Sequence, residues 1–306
     1  MNRSSDNSRG IVAMIGSTAL FSANDAATKI AAKSIPPTEV VAIRGGFTVL
    51  FVLLIIGWRG EFGLVRKVLT PLVMLRSGSE ALVGLLLIIA LALMPIADVT
   101  AILLIQPFLL TIAGVLLFKE TVGWRRWSAV AVGFLGMLLV VKPGTGAFEF
   151  TSLVVILAAF LVVVRDVATR KLASDIPTTP IVLVTALLGV MIGGSGVFAG
   201  NWRAPGLEPF VASVVAAAFF VFAIILGVIA LREADVSVVA PFRYSLVVFA
   251  VLYGVFLFGE FPDTWSLVGI ALIAAAGVYM LHREAMLRGQ MRAGPSAAAA
   301  ERGPRT

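Results

Sequence analysis

The sequence predicts an all-α polytopic membrane protein whose ten transmembrane helices form two inverted five-helix repeats. Three observations carry this. The composition is 59% hydrophobic and 13% charged, where a soluble globule is about half apolar and roughly a quarter charged. Apolar runs close to the ~20 residues that cross a bilayer recur along the chain. The chain also repeats itself. A shift of 141 residues lays Asn24–Thr38 on the stretch from Arg165 to Thr179. It matches Asp25/Asp166, Ala27/Ala168, Thr28/Thr169, Ala32/Ala173, Ile35/Ile176, Pro36/Pro177 and Thr38/Thr179, and it puts Lys29 on Arg170. Seven identities in fifteen positions are improbable for two unrelated helix ends. The repeat therefore frames the rest of the reading.

The apolar segments run from about 10–32, 38–57, 71–93, 96–118, 124–141, 151–172, 179–200, 209–231, 235–258 and 264–281. Short polar or Gly/Pro-containing connections separate them, such as Gly57-Trp58-Arg59-Gly60 and Lys142-Pro143-Gly144. A transmembrane barrel would show alternating segments of ~10 residues instead, and the sequence has none. The polar start, Met1–Gly10, shows no small-residue cleavage site after an apolar core, so no removable signal peptide is expected. The tail beyond Leu281 carries arginines among Gly, Ala and Pro and is expected to be disordered.

The basic residues set the orientation, because cytoplasmic loops are rich in Lys and Arg. Arg3 and Arg9, then Arg59, Arg66 and Lys67, then Lys119, Arg125 and Arg126, then Arg170, Lys171 and Arg232 fall on one side. The other side has Lys33, Lys142 and Arg203. Both termini are expected in the cytoplasm.

The repeat continues beyond its first helix. Ala97-Asp98-Val99 and Ala234-Asp235-Val236 open the fourth and ninth segments, and Phe118-Lys119-Glu120 and Phe258-Gly259-Glu260 end them. Each unit thus holds five helices. Five is odd, so the second unit enters the membrane upside down, the construction found in many secondary transporters. The expected divisions are a tail at 1–9, repeats at 10–145 and 146–282, and a basic tail at 283–306.

These residues give the chain a resemblance to the drug/metabolite transporter superfamily, in its EamA-like ten-helix branch, over about residues 9–282. The local matches are Leu104-Ile105-Gln106-Pro107, Leu116-Leu117-Phe118-Lys119-Glu120, Val132-Gly133-Phe134-Leu135-Gly136 into Val141-Lys142-Pro143-Gly144, then Phe258-Gly259-Glu260 and Val268-Gly269. Lys119 stands where the family usually has glycine. The resemblance implies transport of a small metabolite. The run Pro241-Phe242-Arg243-Tyr244 resembles the branch with bacterial riboflavin importers, which makes riboflavin the first named substrate expected. Relatives of the same branch move S-adenosylmethionine or export amino acids.

Ionisable side chains at mid-membrane are costly and mark functional candidates. Arg44 lies in segment two and Arg243 in segment nine, neither with an acid within four positions in sequence. Each is either half of an interhelical ion pair or a substrate contact. The family often has an arginine in its second helix, which implies a shared role for Arg44. Two guanidiniums across the repeat axis predict an electropositive cavity. Asn24, Gln106 and Tyr244 complete the expected substrate-binding set. Gln106-Pro107 and Pro241 should open their helices, since proline frees a carbonyl one turn earlier. Phe242 and Tyr244 beside Arg243 suit an aromatic or zwitterionic ligand.

Asp25 and Asp166 are proton-coupling candidates, because a carboxylate in a low dielectric can titrate near neutrality. Each also has a cation four residues on, Lys29 or Arg170, on the same helical face. That spacing allows a self-neutralising pair. Arg76 and Glu80 read as a third such pair, structural in role. Gly189 and Gly193 read as helix packing only.

The same residues exclude other classes. With no cysteine and a single histidine, His282, beyond the last segment, no metal site or catalytic cluster is expected. No phosphate-binding loop is present, so an ion or solute gradient must drive any flux. No cofactor is expected. The net charge of +7 is explained by cytoplasmic loops and not by nucleic acid. The expected partners are a small-molecule substrate and the lipid bilayer, with a homodimer allowed. A channel or a non-transporting scaffold is the competing class, and the mid-depth Arg44, Gln106 and Arg243 argue against a scaffold.

Overall fold

A computed structural model describes residues 3–60, 63, 68–119, 123–142, 150–172, 178–198, 200, 202, 204–233, 240–279 and 282. The described elements are all helical. They are α1 (Arg3–Ala32), α2 (Pro37–Arg59), α3 (Pro71–Leu93), α4 (Ile96–Leu103), α5 (Gln106–Phe118), α6 (Trp124–Val141), α7 (Phe150–Arg170), α8 (Thr178–Gly194) and α9 (Leu207–Glu233). A 3-10 stretch at Ala240–Tyr244 leads into α10 (Ser245–Phe258), and α11 (Thr264–Tyr279) closes the bundle.

Local chemistry explains the boundaries. Pro37 and Pro71 occupy first-turn positions, where a missing N–H costs nothing. The Thr70 hydroxyl accepts the Val73 N–H at 3.3 Å and caps α3. The Asp263 carboxylate accepts the N–H groups of Trp265 and Ser266 at 2.9 and 3.0 Å and caps α11. Gly259 and Lys119, equivalent in the repeat, end their helices in the left-handed conformation, at φ 67° and 54°. That conformation is why glycine is favoured there, and why lysine departs from the family pattern at a cost.

Two expected segments are not continuous. The fourth breaks at Leu104–Ile105, so Gln106 opens a new helix. In the ninth, the described residues open with a 3-10 stretch at Ala240–Tyr244, and the α-helix starts at Ser245. Both breaks fall at the prolines marked in sequence. The Ala234-Asp235-Val236 match and Pro143 lie outside the described residues.

Six spans are long and apolar enough to cross a membrane: Pro37–Arg59, Pro71–Leu93, Ile96–Leu117, Phe150–Thr169, Thr179–Val197 and Leu207–Ala230. Shorter apolar helices cover Trp127–Val141, Phe242–Phe258 and Thr264–Tyr279. α1 is 30 residues long, and it carries Ser17, Thr18, Ser22, Asn24, Thr28 and Lys29 buried among its neighbours. Leu54, Phe222 and Phe256 point outward, as lipid requires. The protein is a polytopic helical membrane protein.

Helix pairing crosses the halves. α1 packs along α9 and α7 along α3; α2 packs on α8; α3 also meets α8, and α2 also meets α9. α1 touches α10, α5 touches α7, and α4 touches α10. Small residues permit the closest approaches. A Cβ on Gly193 would fall 2.6 Å from the Thr38 carbonyl of α2, and one on Gly136 would fall 2.8 Å from the Gly269 carbonyl of α11. Gly193 is thus a packing residue, as its spacing suggested. Gly189 has no such neighbour and faces the cavity described next.

Candidate functional site

A cavity of about 1140 Å³ lies between the halves, walled by α1 to α5 and by α7 to α10. Its walls repeat. The 141-residue shift equates Asp25 with Asp166, Thr28 with Thr169, Val41 with Val182 and Arg44 with Thr185, and all eight line the cavity. A shift of 140 equates Glu80 with Phe220 and Leu87 with Gly227, which line it too.

All seven site residues expected from sequence line this space: Asn24, Asp25, Arg44, Gln106, Asp166, Arg243 and Tyr244. Their pairing was not legible. The first group is a relay across α1 and α2. The Arg44 guanidinium donates to the Asn24 side-chain carbonyl at 3.2 Å, and the Asn24 amide donates to Asp25 at 2.9 Å. Arg44 also lies over the Phe220 ring, 5.4 Å from its centroid. Asp25 and Lys29 do not pair. Lys29 turns to Glu260 at 2.5 Å, and Asn24 is the bonded partner recorded for Asp25 among the described residues.

The second group sits on α3 and α7. Arg165 donates to Glu80 at 2.6 Å and to Asp166 at 2.8–2.9 Å. This corrects the reading of Arg76 and Glu80 as a pair along one helix. Arg76 donates instead to the Thr185 hydroxyl at 3.0 Å. Arg165 was noted in sequence only as a member of the repeat. Its signal was its position: it stands where the first copy has Asn24. The Arg170 side chain lies outside the described residues, so its pairing with Asp166 is not part of this geometry.

Arg243 is different. Its side chain is accessible from the cavity, and among the described residues it has no hydrogen-bond or ion-pair partner. The aromatics beside it are engaged elsewhere. Phe242 packs with Ala13, Met14 and Ala230 of α1 and α9. The Tyr244 ring lies against α11, where a Cβ on Gly277 would overlap its hydroxyl. That hydroxyl is buried without a partner among the described residues.

The cavity is therefore not simply electropositive. Arg44, Arg165 and Arg243 face Asp25, Glu80 and Asp166, three charges of each sign. The cavity thus combines a large volume with fixed charges of both signs and a guanidinium that lacks an ion-pair partner among the described residues. No group of His, Cys, Asp and Glu among the described residues has metal-site geometry.

A multi-pass helical bundle around a charged central cavity is the build of a membrane transporter. The chain belongs to the EamA-like transporter family, which matches it twice, over residues 8–142 and 150–282. It is 25% identical over 282 residues to an S-adenosylmethionine uptake transporter of Rickettsia prowazekii, covering 90% of this chain and 93% of that one. It is 29% identical over 217 residues to a riboflavin transporter of Rhizobium johnstonii, covering 71% and 70%. It is 26% identical over 277 residues to a pseudopaline exporter of Pseudomonas aeruginosa, covering 87% and 94%. A solved structure, titled only as the crystal structure of a protein, matches 91% of this chain and 98% of its own, with a TM-score of 0.63 at 19% identity. That likeness concerns the fold.

Proposed function

We propose that the protein is a secondary transporter that carries a small zwitterionic, amino-acid-derived metabolite across a bacterial inner membrane by alternating access. S-adenosylmethionine is the first molecule to test. One observation carries this. In a single cavity the Arg243 guanidinium is unpaired among the described residues, and Asp25 has the neutral Asn24 amide as its recorded partner. A guanidinium and a carboxylate that each lack a direct ion pair among the described residues suit a ligand that brings a carboxylate and an ammonium group. The relatives named for S-adenosylmethionine uptake, aligned over 86–90% of this chain, favour the same class.

Riboflavin remains the second reading, supported by relatives 28–29% identical over 62–71% of the chain. Its imide can accept from Arg243, but the neighbouring aromatics are already packed. Uptake into proteoliposomes of S-adenosylmethionine, riboflavin and a panel of amino acids, measured in parallel, separates the readings. Saturable uptake of riboflavin alone would replace the zwitterion reading. Flux that never saturates and is not accelerated by solute on the far side would point to a channel.

The proposed architecture is ten spans in two inverted units, 10–145 and 146–282, between tails at 1–9 and 283–306, with both termini cytoplasmic. Exchanging α1 with α7, α2 with α8 and α3 with α9 carries the α1–α9 packing onto α3–α7 and the α3–α8 packing onto α2–α9 and leaves α2–α8 in place, and the two family matches divide the chain at the same place. Reporter fusions after Pro143 and Arg203 should read periplasmic, and those after Arg66 and at the C-terminus cytoplasmic. A cytoplasmic signal after Pro143 would remove the inversion. Asp25 is proposed as the proton-coupling group and Asp166 as its structural counterpart, since Asp166 is held by Arg165.

A further inference from the structure

The two halves are also tied at one end of the bundle, away from the cavity's centre. Lys29 of α1 is only 3% exposed. Its ammonium group donates to Glu260 and to the Met94 carbonyl, both at 2.5 Å, and lies 5.3 Å from the centre of the Phe258 ring. The second Glu260 oxygen accepts the N–H of Ile96, the first residue of α4, at 3.2 Å. Lys33 covers the same Phe258 ring at 4.6 Å. Beside them Lys142, at the end of α6, is ion-paired with Asp263. Lys29, Met94, Ile96 and Lys142 belong to the first half, and Phe258, Glu260 and Asp263 to the second. All of these contacts except the Lys29–Met94 bond therefore span the halves, and they converge on the α3–α4 turn and the α10–α11 loop.

We infer that the Lys29–Glu260 pair is the latch that shuts this end of the cavity, and that it must part once in each transport cycle. The inference rests on the alternating-access reading above. Orientation by the positive charges places this end at the outer face. The chemistry suits a reversible closure. A partly buried ion pair roughly balances its Coulombic gain against lost hydration, so parting it into a water-filled vestibule recovers much of what it gives up. An apolar seal of the same area would instead resist wetting at the moment of opening. The shared bonds to Met94 and Ile96 make the closure specific, because they hold the α3–α4 turn as well as α1.

The sequence has no cysteine, so one introduced thiol is a clean reporter. Leu87 lines the cavity on α3, between Glu80 and Met94. Leu87→Cys is labelled with a membrane-impermeant maleimide added outside intact cells, alone and combined with Glu260→Gln, Lys29→Met or Lys29→Arg. Glu260→Gln keeps an acceptor for the Ile96 N–H and removes the charge. Labelling should quicken about tenfold or more in Glu260→Gln and in Lys29→Met, the scale of one lost charge-assisted hydrogen bond. Lys29→Arg should stay within about twofold of the parent, since it keeps the charge. Parental labelling rates in Glu260→Gln and Lys29→Met, with both proteins at parental abundance and melting temperature, overturn the latch. The readout is access and not flux. A protein that opens on losing the latch yet carries none of the tested solutes fails the substrate reading alone.

Discussion

Asn24-Asp25 and Arg165-Asp166 occupy the same place in the two copies of the repeat, yet they hold their carboxylates in different ways. In the first copy the arginine is on the second helix, Arg44, and reaches the acid through Asn24. In the second copy the arginine is on the first helix, Arg165, and binds Asp166 directly, while Thr185 stands where Arg44 would be. Duplication therefore gave each half an acid at the cavity wall, and divergence clamped one and left the other with a neutral neighbour. Thr185 does not go unused: it accepts from Arg76, whose expected partner Glu80 has been taken by Arg165.

The largest effect should come from the arginine that neither copy clamps. Arg243→Ala should lower apparent substrate affinity by about a hundredfold or more, the scale of a lost bidentate charged contact. Arg243→Lys should weaken binding about tenfold with little change in maximal rate. Neither should lower the melting temperature in detergent by more than a degree or two, since no acid is stranded. A large loss of stability in Arg243→Ala would make Arg243 a structural ion and not a ligand contact.

The clamped arginine should behave in the opposite way. Arg165→Leu leaves Glu80 and Asp166 without their cation and should cost about 2–3 kcal/mol of stability. Adding Glu80→Leu should recover part of that loss, which a double-mutant cycle measures. Stability that does not change in Arg165→Leu would break the contrast between the two copies.

Asp25→Asn should leave the protein folded and flatten the dependence of uptake on external pH, whereas Asp166→Asn should leave that dependence in place. An unchanged profile in Asp25→Asn would return Asp25 to a structural role. The sharpest form of the comparison is a transplant. Asn24→Arg with Arg44→Thr gives the first copy the second copy's arrangement. It should pair Asp25 directly and remove the pH dependence while retaining a folded protein. Titration curves of uptake beside melting curves test both variants.

The smallest effect belongs to the closed end. Asp263→Ala removes a helix cap and should cost about 1 kcal/mol. The Lys142 ammonium group beside Asp263, together with the N–H groups of Ser266 and Trp265, holds its carboxyl below the usual range. The cap's contribution is thus fully present above a carboxylate's ordinary titration range, near 4, and is lost as pH falls through the depressed folded value. The difference in melting temperature between the parent and Asp263→Ala should be constant from about pH 5 to 8 and shrink below about pH 4. A difference that grows on acidification would contradict this origin.

Much of the protein was decided by sequence alone. Solvent class follows from composition, because 59% hydrophobic residues cannot be kept from water in a chain of 306. Periodicity and proline place the helices and their breaks, since helical hydrogen bonding is local in the chain. The repeat led to Asp25 and Asp166 on the cavity wall, because duplicated units that pack face to face bring equivalent positions to one cavity, and the cost of mid-membrane charge led to Arg44 and Arg243. Pairing was decided only by the tertiary structure. Spacing of four offered Asp25 to Lys29 and Arg76 to Glu80, and neither bond formed. A Lys or Arg side chain reaches across to a neighbouring helix as easily as along its own. In a desolvated interior it takes the acceptors that complete its shell, wherever in the chain they lie. For Lys29 these were Glu260 and the Met94 carbonyl, and for Glu80 the partner was Arg165, 85 residues away.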